Sequence, residues 1–118
     1  KINQIKNKNL TDIQKINPEF RLILKLANKI VKDNNAELYF VFLPELNRYK
    51  YNVDDEKFND YKKLIDYIKS LNISIIDLHK EVFEKHKDPE SLFPWKTDVH
   101  YTVDGYKLIS DIIAKRLK

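Results

Sequence analysis

Apolar positions along this chain recur at two periods, and the changes between them divide it into elements. Phe20, Ile23, Leu24, Ala27, Ile30 and Val31 follow helical spacing and predict a core-facing stripe. The segment opens on Asn17-Pro18-Glu19, a capping side chain, a proline at the first helical position and an acid near the positive end of the dipole. It stops near Asn34-Asn35. Glu37-Leu38-Tyr39-Phe40-Val41-Phe42-Leu43 is then continuously apolar, aromatic and β-branched until Pro44 ends it, which predicts a strand buried on both faces. After a loop over residues 45–54, Asp54 or Asp55 caps a helix whose stripe is Phe58, Tyr61, Leu64, Ile65, Ile68 and Leu71. Residues 73–77 read as a second strand, and 78–86 as a short helix turning Val82 and Phe83 inward. A loop over 87–101 follows. Thr102 then caps a last helix with Tyr106, Ile109, Ile112, Ile113 and Leu117 on its core face. Periodicity also assigns Tyr39, Phe40, Phe42 and Phe83 to the core, residues 1–9 to a frayed lead-in and 10–16 to a short helix.

This order is that of a single α/β domain spanning residues 1–118, with a right-handed parallel crossover. Two parallel strands do not make a stable sheet, since parallel sheets need more neighbours and cover on both faces. The complete sheet is therefore expected to use strands this sequence does not contain. The chain also has no methionine, so Lys1 is not expected to be a natural start.

Composition narrows the chemistry. Hydrophobic residues at 42% and charged residues at 34% describe a globular domain rather than a disordered one. No apolar run is long enough to cross a bilayer, and no signal-peptide pattern opens the chain. The absence of cysteine excludes disulfides, thiolate metal sites and a thiol nucleophile. A single glycine excludes Gly-rich phosphate loops. The net charge of +4 does not indicate nucleic acid, because lysines alternate with acids through the predicted helices and no binding motif accompanies them.

The chemistry gathers in Phe93-Pro94-Trp95-Lys96-Thr97-Asp98-Val99-His100-Tyr101-Thr102-Val103-Asp104-Gly105-Tyr106. In an extended loop, residues two apart point the same way, so Asp98 reaches His100 and holds an imidazole suited to general-base work. Gly105 sits in the first turn of a helix, where glycine costs stability and usually answers a close backbone approach. The loop aromatics Trp95, Tyr101 and Tyr49 are candidate substrate contacts, Tyr49 because its loop leaves the carboxyl end of a strand. Plain loop packing accounts for them equally well.

The pattern Trp95-x-x-Asp98-x-His100-Tyr101-Thr102-x-x-Gly105-Tyr106 before an amphipathic helix resembles the C-terminal catalytic segment of the SGNH (GDSL-like) hydrolase superfamily. It is closest to the Asp-x-His branch of alginate O-acetyltransferase-like proteins. Residues 38–45 are similar to that family's central strand ending in proline, and Ile75-Ile76-Asp77-Leu78 to the strand and helix entry before its catalytic loop. The resemblance implies a three-layer, flavodoxin-like α/β sandwich with a parallel sheet, incomplete in this chain. It implies an ester hydrolase or O-acyltransferase acting on a polysaccharide or similar hydroxylated substrate outside the cytoplasm, with no cofactor. His100 is the base and Asp98 its orienter. The family's Gly-Asp-Ser nucleophile turn is absent, as is the commoner Asp-x-x-His spacing, because Thr97 stands three before His100. The serine is therefore expected from a missing N-terminal half or a second chain.

Two other readings stand beside this one. Asp77-Leu78-His79 repeats the Asp-x-His spacing, but Asp77 reads as a helix cap and nothing special is required of His79. Asp77, His79, His86, Asp98 and His100 pooled together suit zinc or iron by type, though no recognised ligand spacing unites them. The competing class of protein is a non-catalytic α/β binding or assembly module with a degenerate site.

Overall fold

Asn17 starts the first helix as its residue type predicts, its side-chain oxygen accepting the Glu19 and Phe20 amides at 2.8 and 3.2 Å. In the computed structural model, which describes residues 15–50, 56–97 and 100–118, helix α1 spans Pro18–Asp33. Its end is a left-handed cap: Asn35 has φ 53°, the Ala36 amide donates to the Val31 carbonyl and the Asn35 amide to that of Lys32. Helix α3, Glu56–Ser70, ends the same way, with Asn72 at φ 55° and the Ile73 and Asn72 amides bonded to Ile68 and Lys69. Asparagine takes this backbone region more readily than other side chains, and it serves here in a chain with one glycine.

Strand β1 is Tyr39–Phe42 and strand β2 Ser74–Asp77, and they pair as a two-stranded parallel sheet. The protein is thus α/β in the coarse sense, helix-rich around a small parallel sheet. Between the strands lie a single turn of helix, α2 at Asn47–Lys50, and α3. After β2 come a π-helical turn at His79–Phe83 and 3-10 turns at Pro89–Leu92 and Pro94–Lys96. The last helix, α4, is Val103–Arg116.

Contacts divide the chain into two compact units, whose described residues are 15–39 with 56–74, and 40–50 with 75–97 and 100–118. In the first, Leu24, Ile65, Tyr67, Ile68 and Ile73 are buried. Asn28 ties α1 to the end of α3 by donating to the Leu71 carbonyl at 3.0 Å. In the second, Leu46, Ile76, Leu78, Val82, Phe83, Leu92, Phe93 and Ile109 are buried. Arg116 closes α4 onto β2 there, donating to the Ile75 carbonyl at 3.1 Å and pairing with Glu81 at 3.5 Å.

Several expectations need correction. The α1 stripe forms on the predicted face but is not core throughout: Leu24 is buried, whereas Ile23 and Ile30 remain 62% and 60% exposed. Periodicity identifies an apolar face, not what covers it. The first strand is shorter than predicted and half-buried along its length, because a two-stranded sheet covers neither face fully. Tyr106 of α4 and Leu117 just after it are also more than half exposed, leaving Ile109 as that helix's one buried large side chain. The predicted lead-in, the Asp54 or Asp55 cap, Tyr51 and the Phe58 side chain lie outside the described residues, as does most of the predicted helix over 10–16.

Tyr67 carries a buried hydroxyl with no hydrogen-bond partner among the described residues. A buried polar group without a partner forfeits its hydration and gains nothing for it. Tyr67→Phe is therefore expected to raise stability by about 1 kcal/mol. Urea unfolding checks this; a loss of stability in the variant would show that the hydroxyl is bonded.

Candidate functional site

The loop carrying His100 is pinned at three points in the second unit. The Tyr101 hydroxyl donates to the Pro44 carbonyl at 2.6 Å, which fastens the loop to the carboxyl end of β1. The Thr102 amide donates to the Leu92 carbonyl at 2.8 Å. The Thr102 hydroxyl accepts the Gly105 amide at 3.0 Å, the predicted cap of α4. Gly105 answers the close approach its position suggested: a Cβ there would stand 2.8 Å from the Leu92 carbonyl oxygen and 3.1 Å from Tyr101 Cβ.

His100 itself is exposed and lines a shallow depression of about 220 Å³ with Leu43, Pro44, Glu45, Phe93, Tyr101 and Tyr106. Asp98 lies outside the described residues, so the expected Asp98–His100 pairing does too. Of the expected substrate contacts, Trp95 is 94% exposed on a left-handed backbone, φ 49°, followed by Lys96 at φ 54°. Tyr101 is half-buried, edge-on to Tyr106 at 5.5 Å and tilted against Phe93 at 5.2 Å and Phe83 at 5.3 Å. Its ring walls the depression while its hydroxyl is engaged behind it.

Tyr49 does not reach the depression's lining. It stacks on Phe83, with ring centres 5.5 Å apart and planes 10° from parallel, and lies 6.3 Å from Phe93. Its hydroxyl is 2.8 Å from Nδ1 of His79. The expectation that nothing is required of His79 is therefore corrected. Asp77 does cap the turn, accepting the Lys80 amide at 3.2 Å. His79 and Phe83, one turn apart, both meet Tyr49. Burial pushes the His79 imidazole below its usual range, and the Arg48 guanidinium pushes the same way, against Glu84 and Asp77. Burial also pushes the Tyr49 phenol well above its ordinary range. The phenol keeps its proton and is the stronger donor, and an imidazole nitrogen the stronger acceptor, so we assign Tyr49 as donor and His79 Nδ1 as acceptor. Sequence reading missed this pair because its members are thirty positions apart. The available signal was that both follow the carboxyl ends of adjacent parallel strands.

Every serine in the chain is engaged elsewhere. Ser70, Ser91 and Ser110 donate to the carbonyls of Tyr67, Asp88 and Lys107, and Ser74 donates to the Glu37 carboxylate. None lines the depression. The described residues contain no group of three or more His, Cys, Asp or Glu that could hold a metal ion. No described helix is long and apolar enough to cross a membrane. Comparison with protein families, with curated proteins and with solved structures gives no match.

Two substitutions test this architecture. Gly105→Ala gains about 1 kcal/mol of helix propensity. It also drives a methyl into the Leu92 carbonyl, and overpacking of that kind costs about 1–3 kcal/mol. The clash is with backbone, which yields least, so net destabilisation is expected in thermal or urea unfolding. Tyr49→Phe keeps the stack and removes the bond, costing about 1 kcal/mol. It should also let the His79 pKa rise towards its ordinary 6.5, seen by imidazole NMR titration. In the native protein the folded value is depressed, so the unfolded chain binds that proton more readily. The stability conferred by the neutral ring is then complete above pH 6.5 and lost as pH falls through the lower folded value. Unfolding free energies measured across that window should show the loss, and Tyr49→Phe should shrink it.

Proposed function

We propose that this chain supplies the base and its orienter, His100 and Asp98, to an SGNH-like ester hydrolase or O-acyltransferase site of the Ser-His-Asp type. The reading takes the complete domain to be a three-layer α/β sandwich with further strands. Its serine and oxyanion hole come from outside these residues. The substrate is an acyl ester, such as an acetyl group, of a polysaccharide or similar hydroxylated compound. Trp95, with nearly its whole indole in water, is available to stack against a sugar ring.

The observation that carries the proposal is the placing of His100. It is exposed in a depression beside the carboxyl end of β1, on a loop locked by Tyr101, Thr102 and Gly105. Ligands in open α/β sheets bind outside the carboxyl ends of the strands. The engaged serines agree with an imported nucleophile.

A serine site run by this base takes the hydroxyl proton onto the imidazole as the serine attacks the ester carbon. The imidazolium then gives the proton to the departing alcohol. Asp98 stabilises the charged ring. Without a nucleophile and oxyanion donors the pair alone forfeits the largest stabilising terms, so the isolated chain is expected to be almost inactive. In the complete protein, His100→Ala should lower kcat for acetyl-ester hydrolysis or acetyl transfer by about a thousandfold or more. Acetate release and transfer to an added polyol are the measurements. Unchanged turnover in that variant overturns the assignment and favours a binding module.

A further inference from the structure

We propose that Glu45 selects the charge of the alcohol half of an ester bound against His100, admitting neutral or cationic hydroxylated groups and disfavouring anionic ones. The proposal rests on the acyl-transfer reading above and adds to it a substrate class and a specificity-determining residue.

The described lining of the depression holds few charged side chains. Leu43, Pro44, Phe93 and Tyr106 contribute to its wall. The Tyr101 hydroxyl is turned to the Pro44 carbonyl. No lysine or arginine is among the described lining residues. Beside the ring of His100 and the phenol of Tyr106, the described lining holds one carboxylate side chain, that of Glu45. An ionised carboxylate only accepts hydrogen bonds. It therefore complements the hydroxyls of a polyol or a sugar, or an ammonium group, and opposes a uronate or a phosphate.

Glu45 is also held in place. Pro44 and Leu46 on either side are buried. The Pro44 carbonyl is bonded to Tyr101, and the Glu45 and Leu46 carbonyls accept the Arg48 and Tyr49 amides at 3.2 and 2.9 Å. The backbone that carries this exposed side chain is thus fixed by the same contacts that fix the His100 loop. The chain's net charge of +4 pulls the other way, towards anions. Those charges are scattered, and interactions between exposed charges fade beyond about 8 Å at physiological ionic strength, whereas Glu45 lines the depression itself. The local carboxylate wins.

The test uses three probes that differ at one group: the methyl glycosides of glucose, glucosamine and glucuronate. Binding to the full chain at pH 7 is followed by NMR shifts of the His100 and Tyr106 amides. The glucoside and glucosaminide should bind at least about fivefold more tightly than the glucuronoside, the discrimination one exposed unit charge supplies at close range. Added salt should narrow the gap. Glu45→Gln should abolish it, and Glu45→Lys should reverse it. Equal binding of all three, an order that survives Glu45→Gln, or no binding at these residues overturns the proposal. The O-acetylated forms of the same probes, given to the complete protein, separate the two claims. The charge order without acetate release would sink the acyl-transfer reading and leave the selection standing. Acetate release indifferent to the probe's charge would do the reverse.

Discussion

One carbonyl oxygen, that of Leu92, organises the candidate site. It accepts the Thr102 amide and comes so near the first turn of α4 that no side chain fits at position 105. The helix can start there only if its first turn lacks a Cβ at that point, and the chain places its single glycine there. Because the start of α4 is fixed against Leu92, Tyr101 is held with its ring against Phe93 and its hydroxyl on Pro44. His100, the residue before Tyr101, is thereby brought to the end of β1. The loop needs no regular structure of its own, since its position follows from three bonds and one missing methyl.

Behind this loop runs a continuous series of rings: Tyr106 against Tyr101, Tyr101 against Phe93 and Phe83, Phe83 stacked on Tyr49, and Tyr49 bonded to His79. Aromatic contacts of this kind each contribute about 0.5–1.5 kcal/mol beyond the area they bury. They join the segment after β1, the turn after β2 and the start of α4. The neutral His79 is the polar end of the series, where it accepts the Tyr49 phenol proton. The depression at His100 therefore has a stiff back wall, and a change at Tyr49 acts on it through Phe83 and Phe93 without any direct contact.

Local signals in the sequence were legible. Asn17 and Thr102 cap the helices they were expected to cap, Asp77 caps the turn after β2, and Pro44 lies just beyond β1. Each of these acts within a few residues, so type and spacing suffice. Gly105 was legible as a close approach, but its partner, thirteen positions back, was not. The Tyr49–His79 bond and the sharing of one depression by Glu45 and His100 depend on how the chain returns on itself. The exposed stripe of α1 fails for a related reason. Ile23 and Ile30 of the stripe, and Leu22 and Leu26 beside it, each keep at least half of their surface in water. Covering them would add about 1 kcal/mol apiece, a substantial part of a domain's whole stability.

The same logic separates Trp95 from the other rings. A tryptophan gains most from burial, yet this one is the most exposed large apolar side chain described. Its left-handed backbone adds a cost that no packing offsets. What holds the turn is polar: the Lys96 and Thr97 amides and the Thr97 hydroxyl donate to the Phe93 and Pro94 carbonyls. These bonds would survive almost any side chain at 95. The turn therefore does not need the indole, and folding gains little from it. Under the proposed reading, this ring, left in water five residues before His100 and outside the described lining of the depression, serves a bound group rather than the core.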